Sequence, residues 1–275
     1  MIVLFDMDGT LTPPRKEITS EVIFSLKELS RHTRIGIVSG SDYDYILQQC
    51  EKMFEDGNLD PEKVDILPCN GTKMYTWNTL KSCWDITHST DMIKELSQKD
   101  YNYILQSCFA EQLQIAMCYS LPYTGTFFHY RDSMLNWCPI GRLAGDSERD
   151  AWISLDSEKS IREKIAKELD MSFAKKNIPV TVALGGSTSF DIYPVGWDKT
   201  YSLQHYPGQK AFFVGDRCEE TGNDWHIFTK LEAHKRAWKT TGPEETIKII
   251  NKIISKLNQD KDNNYNLSEV GNGSL

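Results

Sequence analysis

Short runs of apolar residues mark both ends of the chain. The runs at 2–5 (IVLF), 35–38 (IGIV) and 211–214 (AFFV) contain only apolar residues and one glycine. Continuous apolar runs of this length are typical of parallel strands that are buried on both faces of a sheet. We therefore predict three strands of one parallel sheet, built from segments that lie far apart in the sequence.

The segments beside these runs have helical periodicity. Val22, Leu26 and Leu29 recur at helical spacing, and Thr19 or Ser20 can serve as the N-cap of that helix. Further helices are predicted over 42–56 and from about residue 243. Because strands and helices alternate at both ends of the chain, we predict an α/β fold with a doubly wound parallel sheet.

The middle of the chain has a different pattern. The segments 127–138, 180–186 and 189–196 alternate apolar and polar residues as antiparallel strands do, and 157–177 carries a helical apolar stripe. This predicts an α+β domain inserted into the α/β core. The predicted parts are core 1–79, inserted cap domain 80–190, core 191–257 and a polar, disordered tail 258–275.

Composition limits the class of protein. The 275 residues carry a net charge of -8, which argues against nucleic-acid binding because that binding depends on clustered Lys and Arg. Seven cysteines without a CxxC spacing favour reduced thiols and a cytoplasmic location. We expect no membrane partner and no signal peptide, since the chain lacks a long apolar run and its first motif begins at residue 3.

Two carboxylates follow the first apolar run, in VLFDMDGTLT. Asp6 is placed at the carboxyl end of a predicted strand, where open α/β sheets bind their ligands. One carboxylate of such a pair can act as a nucleophile and the other as a general acid and base. We assign the first role to Asp6 and the second to Asp8. The alternative is that both residues only cap the turn, as Asp often does.

A second acidic cluster follows the third apolar run, in FFVGDRCEETGND. Asp216 can complete an oxygen-only site with Asp6 and a main-chain carbonyl, and a small set of hard oxygen ligands suits Mg²⁺. We therefore predict Mg²⁺ as the cofactor, with Asp6, Asp8 and Asp216 as its ligands. Asn223 and Asp224 are predicted to support these ligands.

In this order, VLFDMDGTLT, IVSGSD and VGDRCEETGND resemble the haloacid dehalogenase superfamily of phosphotransferases. The resemblance implies a Rossmann-like core in which Asp6 is phosphorylated. It also implies that Ser39, Gly40 and Ser41 contact the phosphoryl group and that Lys199 supplies a fixed cation. The simpler alternatives are that the serines cap a helix and that the lysine is a solvated surface residue.

The middle segment resembles a narrower family, the eukaryotic-type phosphomannomutases. The resemblance rests on TPPRKEIT, RDSMLNWCPIGRLAGDSER and GGSTSFDIYPVGWDK and extends from residue 2 to about 255. It implies that the sugar phosphate is bound by Arg15, Arg131, Arg142, Arg149, Ser189 and Asp191. Arginine forks suit this role because they bind phosphate oxygens in a bidentate way. The alternative is that the arginines form salt bridges with neighbouring acids such as Asp132 and Asp146.

The resemblance implies a reaction as well. Mannose 6-phosphate and mannose 1-phosphate would be interconverted through an aspartyl phosphate, with a hexose 1,6-bisphosphate as activator and glucose phosphates as further candidate substrates. A homodimer joined through the cap is also implied. Two other functions stay open from the sequence: a sugar-phosphate phosphatase of the same superfamily, and a sugar-phosphate binding protein without catalytic activity.

Three positions depart from the family pattern. Ser39 stands where the family has glycine, Thr221 replaces a glycine, and Lys230 replaces an acidic ligand of a second, structural cation. Since a protonated lysine cannot bind Mg²⁺, we predict a single catalytic metal and exclude Phe228 and Lys230 from its ligands.

Overall fold

The computed structural model describes residues 1–55 and 58–270, which form eleven β-strands and eight α-helices. The strands are β1 (Ile2–Phe5), β2 (Arg34–Val38), β3 (Val64–Leu67), β4 (Lys73–Asn78), β5 (Cys83–Ser89), β6 (Phe128–Tyr130), β7 (Leu135–Trp137), β8 (Val180–Gly185), β9 (Ser189–Pro194), β10 (Ala211–Gly215) and β11 (Ala237–Lys239). The helices are α1 (Ser20–Ser30), α2 (Tyr43–Cys50), α3 (Met92–Leu96), α4 (Gln98–Cys118), α5 (Asp146–Lys159), α6 (Ile161–Lys175), α7 (Trp225–Glu232) and α8 (Pro243–Val270).

Seven strands form the core sheet, in the order β11-β10-β1-β2-β3-β4-β5. The first five strands of this order run parallel, and β4 and β5 extend the sheet as antiparallel strands. In the register, Phe5 of β1 lies beside Val214 of β10 and Ile37 of β2. The prediction of an α/β core built from both ends of the chain is confirmed, and the three predicted strands end at one edge of the sheet.

Apolar burial explains why these segments pair. All four residues of β1 are fully buried, as a central strand between two helical layers requires. Helix α1 turns Val22, Leu26 and Leu29 toward this core, where they join Ile250 of α8 in one apolar cluster. The predicted amphipathic pattern of α1 is therefore the pattern that the fold buries.

The inserted domain is built on a second, antiparallel sheet in the order β6-β7-β9-β8. Trp137 of β7 stacks on Phe190 of β9 with ring centroids 4.5 Å apart. Helices α4, α5 and α6 add Ile104, Trp152 and Phe173 to the same apolar cluster. This domain, called the cap below, thus has a hydrophobic core of its own, as the α+β prediction requires.

Several element boundaries differ from the predicted ones. Strand β5 pairs with β4 in the core sheet and β9 pairs with β7 in the cap sheet, so the chain changes domain after residue 89 and again after residue 194. Helix α2 ends at Cys50, and the helix predicted over 157–177 is divided at Ser160, which has φ 52°. Helix α8 extends to Val270, into the predicted disordered tail, and 271–275 lie outside the described residues.

Two expectations from composition can be compared with the structure. All seven cysteines have free thiols. In the ranges 1–55 and 58–270, none of the helices combines the length and the apolar character that a transmembrane helix needs.

Truncation of a core leucine tests this packing against a matched exposed site. We expect Leu26→Ala to lower the free energy of unfolding by about 2–5 kcal/mol, because it removes buried methyl groups and leaves a cavity. Leu80 is 98% exposed, and we expect Leu80→Ala to change it by less than about 0.5 kcal/mol. Urea denaturation followed by far-ultraviolet circular dichroism measures both values. Equal effects of the two substitutions would contradict the described packing of α1.

Candidate active site

Three functional segments meet where β1, β2 and β10 end. Asp6 directly follows β1, Ser39 directly follows β2, and Asp216 directly follows β10. Since these strands are neighbours in the parallel part of the sheet, their carboxyl ends bring the three residues together. A cleft of about 250 Å³ lies between this edge and the cap, and Asp6, Ser39 and Asp216 all line it.

Three carboxylates converge at the floor of the cleft. Asp6, Asp216 and Asp224 each place an oxygen within 4.8 Å of the others. Asp6 and Asp224 are buried, so their charges have little contact with solvent. Three carboxylates in so small a volume repel one another unless cations neutralise them.

Lys199 supplies one of those cations. It begins the 3-10 helix Lys199–His205 and is fully buried. Its Nζ forms ion pairs with Asp6 and with Asp224, the latter at 2.6 Å. Burial lowers the pKa of Lys199, but the charges of Asp224 and Asp6 raise it by a larger amount. The pKa therefore lies above that of an ordinary lysine, and the ammonium group stays charged. The prediction that Lys199 lies against Asp6 agrees with this geometry, and the surface-lysine alternative is wrong.

One ammonium leaves the three carboxylates with a surplus of negative charge. Burial raises the pKa of Asp6 to about 8, Lys199 opposes this rise, and Asp224 and Asp216 add to it. Burial, followed by the charge of Asp224, also raises the pKa of Asp216. Compact, oxygen-only donors with surplus negative charge fit a divalent cation such as Mg²⁺. The residues present therefore fit the predicted cofactor.

Two glycines allow the carboxylates to come this close. Gly9 has φ 81°, and a Cβ there would overlap Oδ2 of Asp216. A Cβ at Gly215 would overlap Oδ2 of Asp224. Glycine at these positions thus gives the turn after β1 its left-handed conformation and leaves room for two of the three carboxylates.

Asp8 takes a different place from the one that its metal assignment suggests. Its side chain lines the cleft and accepts a hydrogen bond of 2.9 Å from the backbone N–H of Arg15. The third carboxylate of the cluster is Asp224, which the sequence placed only in a supporting role. Asp8 is positioned at the cleft as a general acid and base would be, and its part in metal binding stays a prediction.

Asn223 completes the core side of the site. It lines the cleft, and its Oδ1 is buried without a hydrogen-bond partner among the described residues. A buried amide oxygen without a partner needs a ligand, an ion or a water molecule. This orphaned oxygen, next to the carboxylate cluster, is a second sign that the site is built around a bound group.

The SGS loop lies beside the carboxylates. Ser39, Gly40 and Ser41 all line the cleft, and the Oγ of Ser39 accepts a hydrogen bond of 3.1 Å from the N–H of Ser41. Helix α2 begins two residues later and is capped by Asp42, whose Oδ1 accepts from the N–H of Tyr45. Asp42 rather than a serine is therefore the N-cap, which leaves the serine hydroxyls available to a ligand.

Arginines cover the opposite side of the cleft. Arg131, Arg142 and Arg149 line it from the cap, and Arg15 lines it from the loop after β1. Arg142 Nη1 donates to Oδ1 of Asn136 at 2.9 Å, and Arg149 Nη1 donates to Oγ1 of Thr188 at 2.9 Å. Burial lowers the pKa of Arg142, and the positive charge of Arg131 lowers it further. Arginines held together by neutral partners favour a bound anion.

The salt-bridge alternative accounts for part of these contacts, since Arg131 lies 3.7 Å from Asp42 and 4.0 Å from Asp191. Asp132 pairs with Lys73, and Arg15 approaches Asp146 at 3.7 Å where both side chains are largely exposed. Exposed pairs of this kind contribute little energy. Arg131 is buried, and its Nη1 donates to the carbonyl of Gly40 at 2.7 Å.

Ser189 and Asp191 of β9 also line the cleft, as predicted. Asp191 Oδ1 accepts from Nδ2 of Asn136 at 2.7 Å and lies 4.0 Å from Nη1 of Arg131. Asn136 was not predicted, although it lies inside the motif RDSMLNWC. It joins Asp191 to Arg142, and only the strand pairing of β7 with β9 reveals this link.

Tyr45 and Arg217 are further cleft residues that the sequence reasoning missed. Tyr45 is one helical turn beyond the SGS loop and supplies an aromatic ring beside Asp8. Arg217 directly follows Asp216 and reaches the cap. The signal for Arg217 was its position next to a predicted metal ligand.

Comparisons with known proteins point to one family. A family model described as eukaryotic phosphomannomutase matches residues 22–256. A phosphomannomutase of Arabidopsis thaliana is 35% identical over 249 residues, which cover 90% of this chain and 94% of the relative. A phosphomannomutase of Drosophila melanogaster is 33% identical over 262 residues, which cover 92% and 95% respectively.

The chain belongs to the eukaryotic phosphomannomutase family. It is an enzyme of the phosphomannomutase type, as the resemblance implied. A solved structure of an IMP-nucleotidase mutant from Plasmodium falciparum, with bound IMP, aligns with a TM-score of 0.64 at 14% identity, over 92% of this chain and 66% of that chain. At this identity the likeness concerns the fold alone.

The structure shows where two of the departures from the family pattern lie. Ser39 lies in the cleft, whereas Lys230 is exposed near the end of α7. Among the residues that the structure describes, Asp6, Asp216 and Asp224 are the one group of three acidic, His or Cys side chains that could hold a metal ion. This group fits the predicted catalytic metal, and the absence of a second cation in this member of the phosphomannomutase family stays a prediction.

The pKa of Asp6 makes the stability of this phosphomannomutase-family chain depend on pH and on Mg²⁺. An ordinary Asp has a pKa near 4 in the unfolded chain, so with about 8 in the fold the native state binds more protons between these values. Without divalent cation we therefore expect the free energy of unfolding to fall as pH rises from 5 to 8, by on the order of 1 kcal/mol per pH unit.

Mg²⁺ and Asp6→Asn should each reduce this slope, because one neutralises the carboxylate and the other removes it. Urea midpoints at pH 5, 6, 7 and 8, with and without Mg²⁺, measure the effect. A slope that neither change reduces would show that Asp6 is not the group responsible.

Proposed function

We propose that this enzyme interconverts mannose 6-phosphate and mannose 1-phosphate through an aspartyl phosphate on Asp6. The observation that carries this proposal is a cleft with two sides of different chemistry. One side has the carboxylate cluster with Lys199, which suits phosphoryl transfer. The other side has arginines, which suit a phosphate that is held but does not react.

The core side would perform the transfer. A hexose 1,6-bisphosphate places one phosphate against Asp6, the carboxylate attacks phosphorus, and Asp8 protonates the departing sugar oxygen. The monophosphate substrate then binds with its free hydroxyl toward Asp6. Asp8 takes the proton from its free hydroxyl, which attacks the phosphoryl group on Asp6. The bisphosphate that forms re-enters in the reversed orientation, which exchanges the C1 and C6 positions, and it can then donate its other phosphate to Asp6.

Mg²⁺ bound by Asp6 and Asp216, with Asp224 and Asn223 next to it, would neutralise negative charge that builds up on the phosphoryl oxygens. Lys199 would orient Asp6 and favour its ionised form, since its Nζ contacts both Asp6 and Asp224. Ser39, Gly40 and Ser41 would position the phosphoryl oxygens through hydroxyl and backbone N–H groups.

The cap side would hold the phosphate that is not reacting. Arg131, Arg142 and Arg149 face the cleft together with Ser189 and Asp191, and Arg15 joins them from the core. Because a mutase must bind either phosphate of the bisphosphate at this place, guanidinium groups whose hydrogen bonds go to neutral partners are well suited to it. Glucose phosphates, which have the same two anchor groups, are proposed as further substrates.

A sugar-phosphate phosphatase is the second candidate function, favoured by the buried Ser39 hydroxyl at the cleft. It would use the same Asp6 but transfer the phosphoryl group to water. A binding protein without turnover is the third, and the intact arrangement of Asp6, Asp8 and Lys199 opposes it.

We also propose that the enzyme is a cytoplasmic homodimer joined through the cap. Helix α4 exposes Phe109, Leu113 and Met117, spaced four residues apart on one side of the cap. We expect Leu113→Glu to shift the protein toward monomers in sedimentation velocity at micromolar concentration. Leu80→Glu, at an exposed leucine of the core domain, is the matched control and should leave the sedimentation mass of the protein unchanged. A wild-type protein that is monomeric throughout would refute this dimer.

Replacement of the nucleophile tests the proposed reaction. We expect Asp6→Asn to lower mutase activity at least about a thousandfold, because the amide cannot form the phosphorylated intermediate. The assay follows conversion of mannose 1-phosphate and of glucose 1-phosphate, with and without the hexose 1,6-bisphosphate, together with release of inorganic phosphate. Asp150→Asn, at an exposed position of α5, is the matched control and should keep wild-type activity.

The outcomes separate the three candidate functions. Isomerisation that depends on the bisphosphate supports the mutase, whereas phosphate release without isomerisation supports the phosphatase. Sugar-phosphate binding without either activity would support the binding protein. Near-wild-type activity of Asp6→Asn would refute the assigned nucleophile.

A further inference from the structure

Arg217 joins the core to the cap directly above the carboxylate cluster. Its Nη1 donates to the carbonyl of Gly186 at 2.9 Å, and its Nη2 donates to Oγ of Ser187 at 3.5 Å. Gly186 and Ser187 form the turn between β8 and β9 of the cap, and both line the cleft. A core side chain thus spans the mouth of the site and binds the cap turn.

The backbone of Arg217 is fixed by Asp224 of the carboxylate cluster. Its backbone N–H donates to Oδ2 of Asp224 at 3.1 Å, and its carbonyl accepts from the N–H of Asp224 at 3.1 Å. A Cβ at Gly222 would overlap the carbonyl oxygen of Arg217, so the loop packs closely around this residue. The position of Arg217 is therefore tied to Asp224, a member of the carboxylate cluster.

The cap end of the contact is fixed as well. The carbonyl of Gly186 accepts a second hydrogen bond, of 3.1 Å, from Nη1 of Arg162. Arg162 is buried and is held by Asp156 through an Nε–Oδ2 contact of 2.6 Å. One carbonyl oxygen thus receives a core guanidinium and a cap guanidinium, which makes the turn a defined anchor rather than a loose loop.

We propose that Arg217 is a positioning residue that holds the cap turn over Asp6 and thereby sets how the phosphoryl group is divided between a sugar hydroxyl and water. This inference rests on the proposed mutase reaction, in which Asp6 stays phosphorylated while one sugar phosphate leaves and the next binds. Closure of the site during that interval excludes water and protects the intermediate.

Two reactions compete for the same group. In transfer, the sugar hydroxyl oxygen bonds to phosphorus, the bond between phosphorus and Asp6 breaks, and Asp8 takes the hydroxyl proton. In hydrolysis, a water oxygen takes the place of the sugar oxygen, Asp8 takes the water proton, and inorganic phosphate leaves. Both regenerate the Asp6 carboxylate, so only access of water to the cleft separates them.

Other contacts between core and cap cannot play this part alone. Arg131 reaches the carbonyl of Gly40, but it is also proposed to bind the substrate phosphate. The contact of Arg15 with Asp146 is long and exposed. Arg217 differs from both because its guanidinium is bound to the cap turn next to the nucleophile.

The experiment measures the ratio of phosphate release to isomerisation, with mannose 1-phosphate and the hexose 1,6-bisphosphate, in wild type, Arg217→Met and Arg217→Lys. We expect Arg217→Met to raise this ratio at least about fivefold, which corresponds to loss of about 1 kcal/mol of closure. Arg217→Lys should give an intermediate ratio, because it keeps the charge but loses the forked geometry. Arg31→Met, at an exposed arginine paired with Glu28, should leave the ratio unchanged.

The outcomes distinguish this inference from the function on which it rests. A ratio within twofold of wild type in both Arg217 variants would overturn the inference, including the case in which only KM for the sugar phosphate rises, since that result marks a direct substrate contact. Wild-type protein that shows no isomerisation would instead overturn the proposed function. If Arg217→Met does not fold, as judged by circular dichroism, the ratio in Arg217→Lys decides the question.

Discussion

Charge in a small buried volume is the constraint on which the rest of this structure depends. Asp6, Asp216 and Asp224 come together at the ends of two neighbouring strands, with Lys199 between two of them. Three carboxylates and one ammonium are stable there only if further positive charge binds. The same surplus that would destabilise an empty protein makes the site selective for a divalent cation and for the phosphate that such a cation attracts.

The rest of the fold positions partners for this cluster. The parallel register of β1 with β2 and β10 brings residues from opposite ends of the chain to one edge, and the inserted cap carries the arginines to the other side of the cleft. Asn136 joins neighbouring side chains within the cap, and Arg217 joins the core to the cap across the cleft. In the proposed reaction, phosphoryl transfer and retention of the second phosphate are thus divided between the two domains.

The sequence predicted the parts of the structure that local patterns encode. Buried parallel strands are continuous apolar runs, so β1, β2 and β10 and the acids after them were found. Strand β5 was not predicted, because it lies at the edge of the sheet, is partly exposed and has no apolar run. Asp224 was found as a residue but not as a member of the cluster, since its distance to Asp6 depends on how the loop after β10 folds. Asn136 and Arg217 lie within or next to motifs that were found, but their hydrogen bonds join distant segments, and a local pattern does not show such bonds.

Anomalous diffraction from crystals grown with Mn²⁺, which binds the same oxygen ligands as Mg²⁺, tests the convergence of charge most directly. We predict one ion per chain, bound by the carboxylates of Asp6 and Asp216 and within about 2.3 Å of their oxygens. A crystal at millimolar Mn²⁺ with no ion at these carboxylates, or with the ion only at another position, would contradict the central claim.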